Sequence, residues 1–214
     1  MNELLAFGLM AFTSFLTLLN PFGTMPVFMA MTKELGVKQR RKTATKAVFV
    51  AFITLMIFAF SGNILFDFFG ISVNSLRMVG GIIFFLMGMD MLQARLAKTK
   101  VDESNVKEYV DDISVTPLGI PMICGPGAIT NAIVLMRDAT TYDMKIIVIV
   151  SIVLVLFTTL MVLWSSSKLL KILGETGNKV LLRLMGLIVM VIAVEFFFSG
   201  LTPVIREIIA PAAY

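Results

Sequence analysis

Six apolar runs separated by short polar stretches fill this chain: residues 4–31, 46–69, 75–93, 114–136, 145–170 and 180–200. Each comes near or above the roughly 20 residues that a helix needs to cross about 30 Å of hydrocarbon. The pattern predicts an all-α integral membrane protein with six transmembrane helices. The chain starts Met1-Asn2-Glu3, without a basic leader, and no small-residue cleavage pattern follows the first run. That run is therefore taken as a membrane span. The stretch KTKVDESNVKEYVDD between the third and fourth runs is charged and predicts a solvated loop with a short surface helix.

Two runs are interrupted. Asn20-Pro21-Phe22-Gly23 breaks the first, and Gly125-Pro126-Gly127 breaks the fourth. Proline lacks an amide hydrogen and its ring clashes with the carbonyl four residues back. Irregular backbone at membrane depth is tolerated only where it is buried in protein or lines a cavity.

The breaks belong to an internal repeat. At a shift of 104 or 105 residues, Pro21 falls on Pro126, Ser61 on Ser165, Gly70 on Gly174, Asn74 on Asn178, Gly81 on Gly186 and Asp90 on Glu195. The division is 1–95 for a first three-helix repeat, 96–113 for a charged cytoplasmic loop and 114–214 for the second repeat. Three spans per copy make the second enter the membrane upside down. Inverted repeats are a secondary-transporter architecture, with sites at the repeat interface on discontinuous helices. Helices 1 and 4 are expected to be broken near the midplane.

Charge sets the orientation. Fourteen of the eighteen lysines and arginines flank the odd-numbered loops: Lys33 to Lys46, Arg95 to Lys107, and Lys168 to Arg183. Only Arg77, Arg137, Lys145 and Arg206 fall on the other side. The bias predicts cytoplasmic odd loops and both termini outside. The net charge of +4 is thus a topology signal and implies no nucleic-acid partner. Histidine is absent, which removes the imidazole proton relay. The single cysteine, Cys124, falls opposite Leu19 in the repeat, so a dithiol carrier does not fit.

A helix broken at 20–23 presents amide hydrogens and a positive dipole end from Gly23-Thr24 onward. The preceding half offers carbonyls near Leu18 to Asn20, and the second repeat supplies the same pair around Gly125, Gly127 and Ala128. Amides suit a carboxylate, and carbonyls suit an ammonium or a sodium ion. The candidate substrate-binding set is Asn20, Pro21, Gly23, Thr24, Gly125, Gly127, Ala128, Thr130 and Asn131. A centre without a full charge fits a zwitterion. No cofactor or metal centre is expected beyond Na+ or H+ as a coupling ion.

These residues carry a resemblance. Asn20-Pro21-Phe22-Gly23 with Pro26, Ile120-Pro121 with Gly125-Pro126-Gly127, and Arg183-Leu184-Met185-Gly186 resemble the MarC family of six-helix inner-membrane proteins. Characterised relatives transport small neutral amino acids such as alanine and glycine, with an ion gradient implicated. The resemblance implies a secondary transporter of that class in the cytoplasmic membrane. Its partners are the bilayer and a small neutral amino acid, and a homo-oligomer is compatible. A channel or exporter for another small solute is the alternative. An enzyme using Asp90 and Glu195 is disfavoured, since inversion sends the two acids to opposite faces.

Four charges fall within or beside the third helices: Arg77, Asp90, Arg183 and Glu195. Inversion brings Arg77 level with Glu195 and Asp90 level with Arg183. Two cross-repeat ion pairs acting as alternating gates are the expectation.

Overall fold

The computed structural model describes residues 3–93 and 106–209, without the side chains of Asn63, Ser167, residues 169–171, Leu173 and Glu175. Every regular element in the described residues is helical. In chain order these are α1 (Glu3–Leu19), α2 (Pro21–Met31), α3 (Val37–Phe69), α4 (Val73–Leu92), α5 (Val106–Ile113), an irregular wide-turn segment (Ser114–Ile123), α6 (Pro126–Asp138) and α7 (Tyr142–Ile209). Five stretches are long and apolar enough to cross a membrane: Glu3–Met31, Val37–Gly62, Val73–Leu92, Tyr142–Ser166 and Thr176–Ile209. The pair Val106–Ile123 and Pro126–Asp138, bent by 60°, makes a sixth when it is read as one broken span, and a re-entrant loop otherwise. Five of the six apolar runs thus match the five stretches, and the fourth, 114–136, falls in the bent pair.

The first break lies at a single residue. α1 has 17 residues, about 25 Å of helix, and does not cover roughly 30 Å of hydrocarbon alone. Asn20 then takes left-handed backbone angles (φ 42°, ψ 66°) and α2 restarts at Pro21. Asparagine tolerates that conformation because its short polar side chain bonds locally.

The second break is longer than its counterpart. Between Ser114 and Ile123 the backbone is extended at Thr116 and Ile120, each followed by a cis-proline, Pro117 and Pro121. Those prolines, four residues apart, keep 114–123 from forming the regular first half-helix expected there. The regular helix resumes at Pro126, with Gly125 as its N-cap.

A glycine with positive φ stands at each of two inter-helix turns 104 residues apart. Gly70 ends α3 with φ 62°, and Gly174 breaks α7 with φ 65°. Only glycine enters this region without steric cost. The second break turns what would be one 68-residue helix into two spans.

α4 and the Thr176–Ile209 arm of α7 cross at backbone contact. A methyl group on Gly81 would lie 2.7 Å from the Ala193 carbonyl oxygen and 2.9 Å from the Phe197 amide nitrogen. One on Gly186 would lie 2.8 Å from the Gly88 carbonyl oxygen and 2.9 Å from the Leu92 amide nitrogen. Gly186, Ala193 and Phe197 stand 105 residues beyond Gly81, Gly88 and Leu92. The two contacts are thus the same contact seen from either end of a local two-fold axis, and the helices run antiparallel across it.

The interior is built from narrow stripes. Ala44, Ala47, Ala51, Leu55 and Ala59 are buried along α3, and Ala11, Phe15 and Leu19 along α1. Their spacing of three or four residues is one helix face. Val50, beside the α3 stripe, lies about 3 Å from where a side chain on Gly119 would be. Large apolar residues such as Phe60, Ile64 and Phe68 point outward instead. An apolar exterior over a small-residue interior is the pattern expected of a bundle in lipid.

α5 is the short helix expected in the charged loop, and residues 94–105 of that loop, including Arg95, Lys98 and Lys100, lie outside the described residues. It is docked, not free. The Tyr109 hydroxyl donates to the Met31 carbonyl (2.9 Å), Asp111 pairs with Lys46, and Ser114 donates to the Thr43 carbonyl (3.3 Å). Arg40 donates to the Thr32 and Lys33 carbonyls at 2.7 and 2.6 Å. The last carbonyls of α2 are thereby capped from α3 and α5, which fixes the far end of the short half-helix.

Candidate functional site

Both breaks meet at one cavity of about 130 Å³. It is lined by Thr17, Leu18, Asn20, Gly23 and Thr24 from the first break, Phe84, Met87 and Met91 from α4, Met122 and Gly127 from the second break, and Val189, Ile192 and Phe196 from α7. Thr17 and Ile192 stand exposed at its mouth, while Gly23, Thr24, Met91 and Gly127 are buried. The volume corresponds to about four water molecules at roughly 30 Å³ each. That is well below the roughly 300–1,000 Å³ of pockets for drug-sized ligands.

The lining is paired by the repeat. Thr17 and Met122, Phe84 and Val189, Met87 and Ile192, and Met91 and Phe196 are each separated by 105 residues, and Gly23 and Gly127 by 104. The cavity therefore sits on the axis that relates Gly81 to Gly186. α4 and α7 each present positions i, i+3 and i+7, one face of a helix.

Of the residues expected from sequence, Asn20, Gly23, Thr24 and Gly127 line this cavity. Pro21, Gly125, Ala128 and Thr130 are buried beside it, and Asn131 is half-buried. Asn131 donates to the Ser14 hydroxyl at 3.0 Å and so ties α6 to α1. Gly125 packs against the Phe84 ring, and Gly80 against Pro126. These residues shape the breaks without facing the space between them. Thr17 and the apolar walls of α4 and α7 were not singled out from sequence. The shift of 105, applied to the triplets 84/87/91 and 189/192/196, is the signal that would have found them.

The chemistry at the two breaks differs from the expectation of equal ends. In the first, the Gly23 amide donates to Asn20 Oδ1 (3.1 Å), and the Thr24 amide donates to the Asn20 carbonyl (3.1 Å). Pro21 has no amide hydrogen to offer. The amides of Gly23 and Thr24 are thus already used, and this half-helix is capped by its own asparagine. In the second, Gly125 has no side chain to cap with, and no side-chain cap bond forms at the start of α6. The first amides of a helix lack intrahelical partners, so Gly127 brings an open donor to the cavity wall.

Thr130 lies one turn further into α6, 3% exposed, and its hydroxyl oxygen has no hydrogen-bond partner among the described residues. An unmet buried hydroxyl costs about 1–3 kcal/mol. Thr130→Val is expected to raise the midpoint of thermal unfolding in detergent, by roughly 1 kcal/mol of stability. A drop would show that the hydroxyl is bonded in the working protein.

The four charges of the third helices do not form the expected cross-repeat pairs. Among the described residues, ion pairs join Lys33 to Glu34, Lys46 to Asp111 and Arg137 to Asp138, and neither Arg183 nor Glu195 enters one. Arg77 packs at Gly200, five residues along α7 from Glu195. Arg183 and Glu195 are exposed, whereas Arg77 and Asp90 are half-buried. Antiparallel helices that touch through glycine put their small residues at the seam and turn long charged side chains away from it.

A model of the family described as "MarC family integral membrane protein" matches residues 5–205. A UPF0056 membrane protein of Pyrococcus horikoshii is 37% identical over 201 residues, covering 94% of this chain and 97% of that protein. One of Methanocaldococcus jannaschii is 36% identical over 198 residues, covering 92% and 97%. One of Aquifex aeolicus is 32% identical over 199 residues, covering 92% and 93%. No solved structure matches the chain. A family model spanning nearly every described helix and relatives matched end to end leave one conclusion: the chain belongs to the MarC family of integral membrane proteins.

Proposed function

We propose that this multi-pass membrane protein is a secondary transporter of small neutral amino acids of the alanine and glycine type, driven by an H+ or Na+ gradient. The observation that carries this reading is the position of the cavity. It lies between two broken helices, with wall positions paired at spacings of 104 or 105 residues, as expected where inverted-repeat transporters hold their solutes. A site shared by both copies can be opened from either side by rocking one against the other. The lining supports the substrate class. Its polar side chains are those of Thr17, Asn20 and Thr24, with no charged residue. A net charge would need a counter-charge at that depth. The small volume favours a solute of few atoms. The lysine and arginine bias supports a cytoplasmic-membrane location with both termini outside.

The test is uptake of labelled alanine and glycine into vesicles carrying the purified full chain, with sodium and pH gradients imposed separately. The expected result is saturable accumulation above the external concentration under one of the two gradients. Uptake that only equilibrates indicates a channel, and uptake equal to that of empty vesicles overturns the reading.

A further inference from the structure

We infer that the cavity takes its solute in one orientation, with a primary ammonium at Thr17 and Thr24 and a carboxylate at Asn20 and Gly127. The inference rests on the transport reading for its substrate class and on the hydrogen-bond inventory for the orientation.

A threonine hydroxyl has one proton and two lone pairs. Thr17 Oγ1 donates that proton to the Thr13 carbonyl at 2.9 Å, and Thr24 Oγ1 donates to the Asn20 carbonyl at 3.2 Å. Both residues line the cavity with the hydroxyl proton already given to a helix carbonyl, so each oxygen has only acceptor capacity left. Asn20 is in the opposite condition. Its Oδ1 already accepts from the Gly23 amide at 3.1 Å, while the two hydrogens of Nδ2 are unused, so its donors are the larger part of its remaining capacity. Gly127 adds a backbone donor at the positive end of α6, where no side chain caps.

A cavity built by two copies of one unit has equal ends unless side chains make them unequal. Here they do. The partner of Thr17 under the repeat is Met122, and at a shift of 105 Asn20 and Thr24 fall on Gly125 and Ile129. Acceptor side chains come only from the first copy, and an uncapped helix start only from the second. A primary ammonium has three donors and no acceptor, and a carboxylate has only acceptors. Each fits one of these two sets of groups and is repelled by the other. A hydroxy acid keeps the carboxylate and the size but replaces the cation with a neutral hydroxyl. Thr17 and Thr24 thus separate amino acids from hydroxy acids.

The experiment compares alanine with lactate on the full chain in detergent, reading ligand-dependent shifts in unfolding temperature in sodium and in choline buffer, with uptake run in parallel. Wild type is expected to bind alanine about ten-fold or more tighter than lactate. Thr24→Val should weaken alanine by about ten-fold and lactate, whose neutral hydroxyl makes the weaker bond, by clearly less, with a smaller loss for Thr17→Val at the mouth. Thr24→Ser, which keeps the hydroxyl, should bind alanine as wild type does. Equal losses for alanine and lactate, or an unaffected alanine affinity in Thr24→Val, overturn the orientation. So does a loss confined to the sodium dependence, which would put the ion at these oxygens. If wild type binds alanine without accumulating it, the transport reading falls and the orientation is judged on binding. If it binds neither compound, both fall.

Discussion

Alanine at Gly81 and alanine at Gly186 are expected to destabilise the protein by nearly equal amounts, although the two sites are 105 residues apart. In each case the new methyl would meet backbone at less than 3 Å: Ala193 and Phe197 for Gly81, Gly88 and Leu92 for Gly186. Backbone cannot rotate aside as a side-chain tip can, so α4 and α7 must move apart. Overpacking of this kind costs about 1–3 kcal/mol. The gain in helix propensity from glycine to alanine, at most about 1 kcal/mol, opposes it without cancelling it. Both substitutions act through the same separation of helices, so the double variant should lose less than the sum of the singles. Thermal unfolding of the four proteins in one detergent measures this. A large loss at one glycine with none at the other would break the two-fold relation.

Gly127→Val is expected to reduce alanine uptake to the level of empty vesicles while expression and unfolding temperature stay near wild type. The added side chain points toward Leu18 Cδ2 at 3.0 Å and the Phe196 ring at 3.3 Å, both side-chain atoms with room to adjust. What it takes is space, since an isopropyl group would stand in the wall of a cavity of only about 130 Å³. Gly23→Val is a poorer probe. Its side chain would collide with Asn20 and remove the cap on α2, so stability and uptake fall together. Gly62, an obvious control by sequence, is unsuitable as well, because a side chain there would run into Ile133. Gly8→Val is the control to use, with Ile147 at an ordinary 3.4 Å. Normal alanine uptake by Gly127→Val would remove the cavity from the transport path.

The sequence by itself determined the apolar spans and the breaks, and it proposed the repeat. Bilayer thickness makes a long apolar run sufficient for a helix, and proline marks the break wherever it falls within one. Gly70 and Gly174, found equivalent by counting, both take a positive φ, though Gly70 is left-handed and Gly174 extended in ψ. The nine residues named from the motifs lie at the two breaks, and four of them line the cavity.

The tertiary structure decided what each break does. Asn20 reads from sequence as a binding residue, yet its oxygen caps Gly23, a matter of one left-handed residue that composition does not reveal. Pro117 and Pro121 make the second break long, so the two ends of the cavity differ in chemistry where the repeat implied equality. The cavity walls, Phe84, Met87 and Met91 with Val189, Ile192 and Phe196, are ordinary apolar positions in apolar helices. Every face of such a helix looks alike along the chain, and only the crossing angle and the close approach at Gly81 and Gly186 select the one that turns inward. The same holds for the charges. Arg77 lies level with Gly200 and Glu195 level with Gly81, five residues apart along α7, and the packing of the seam sends Glu195 outward.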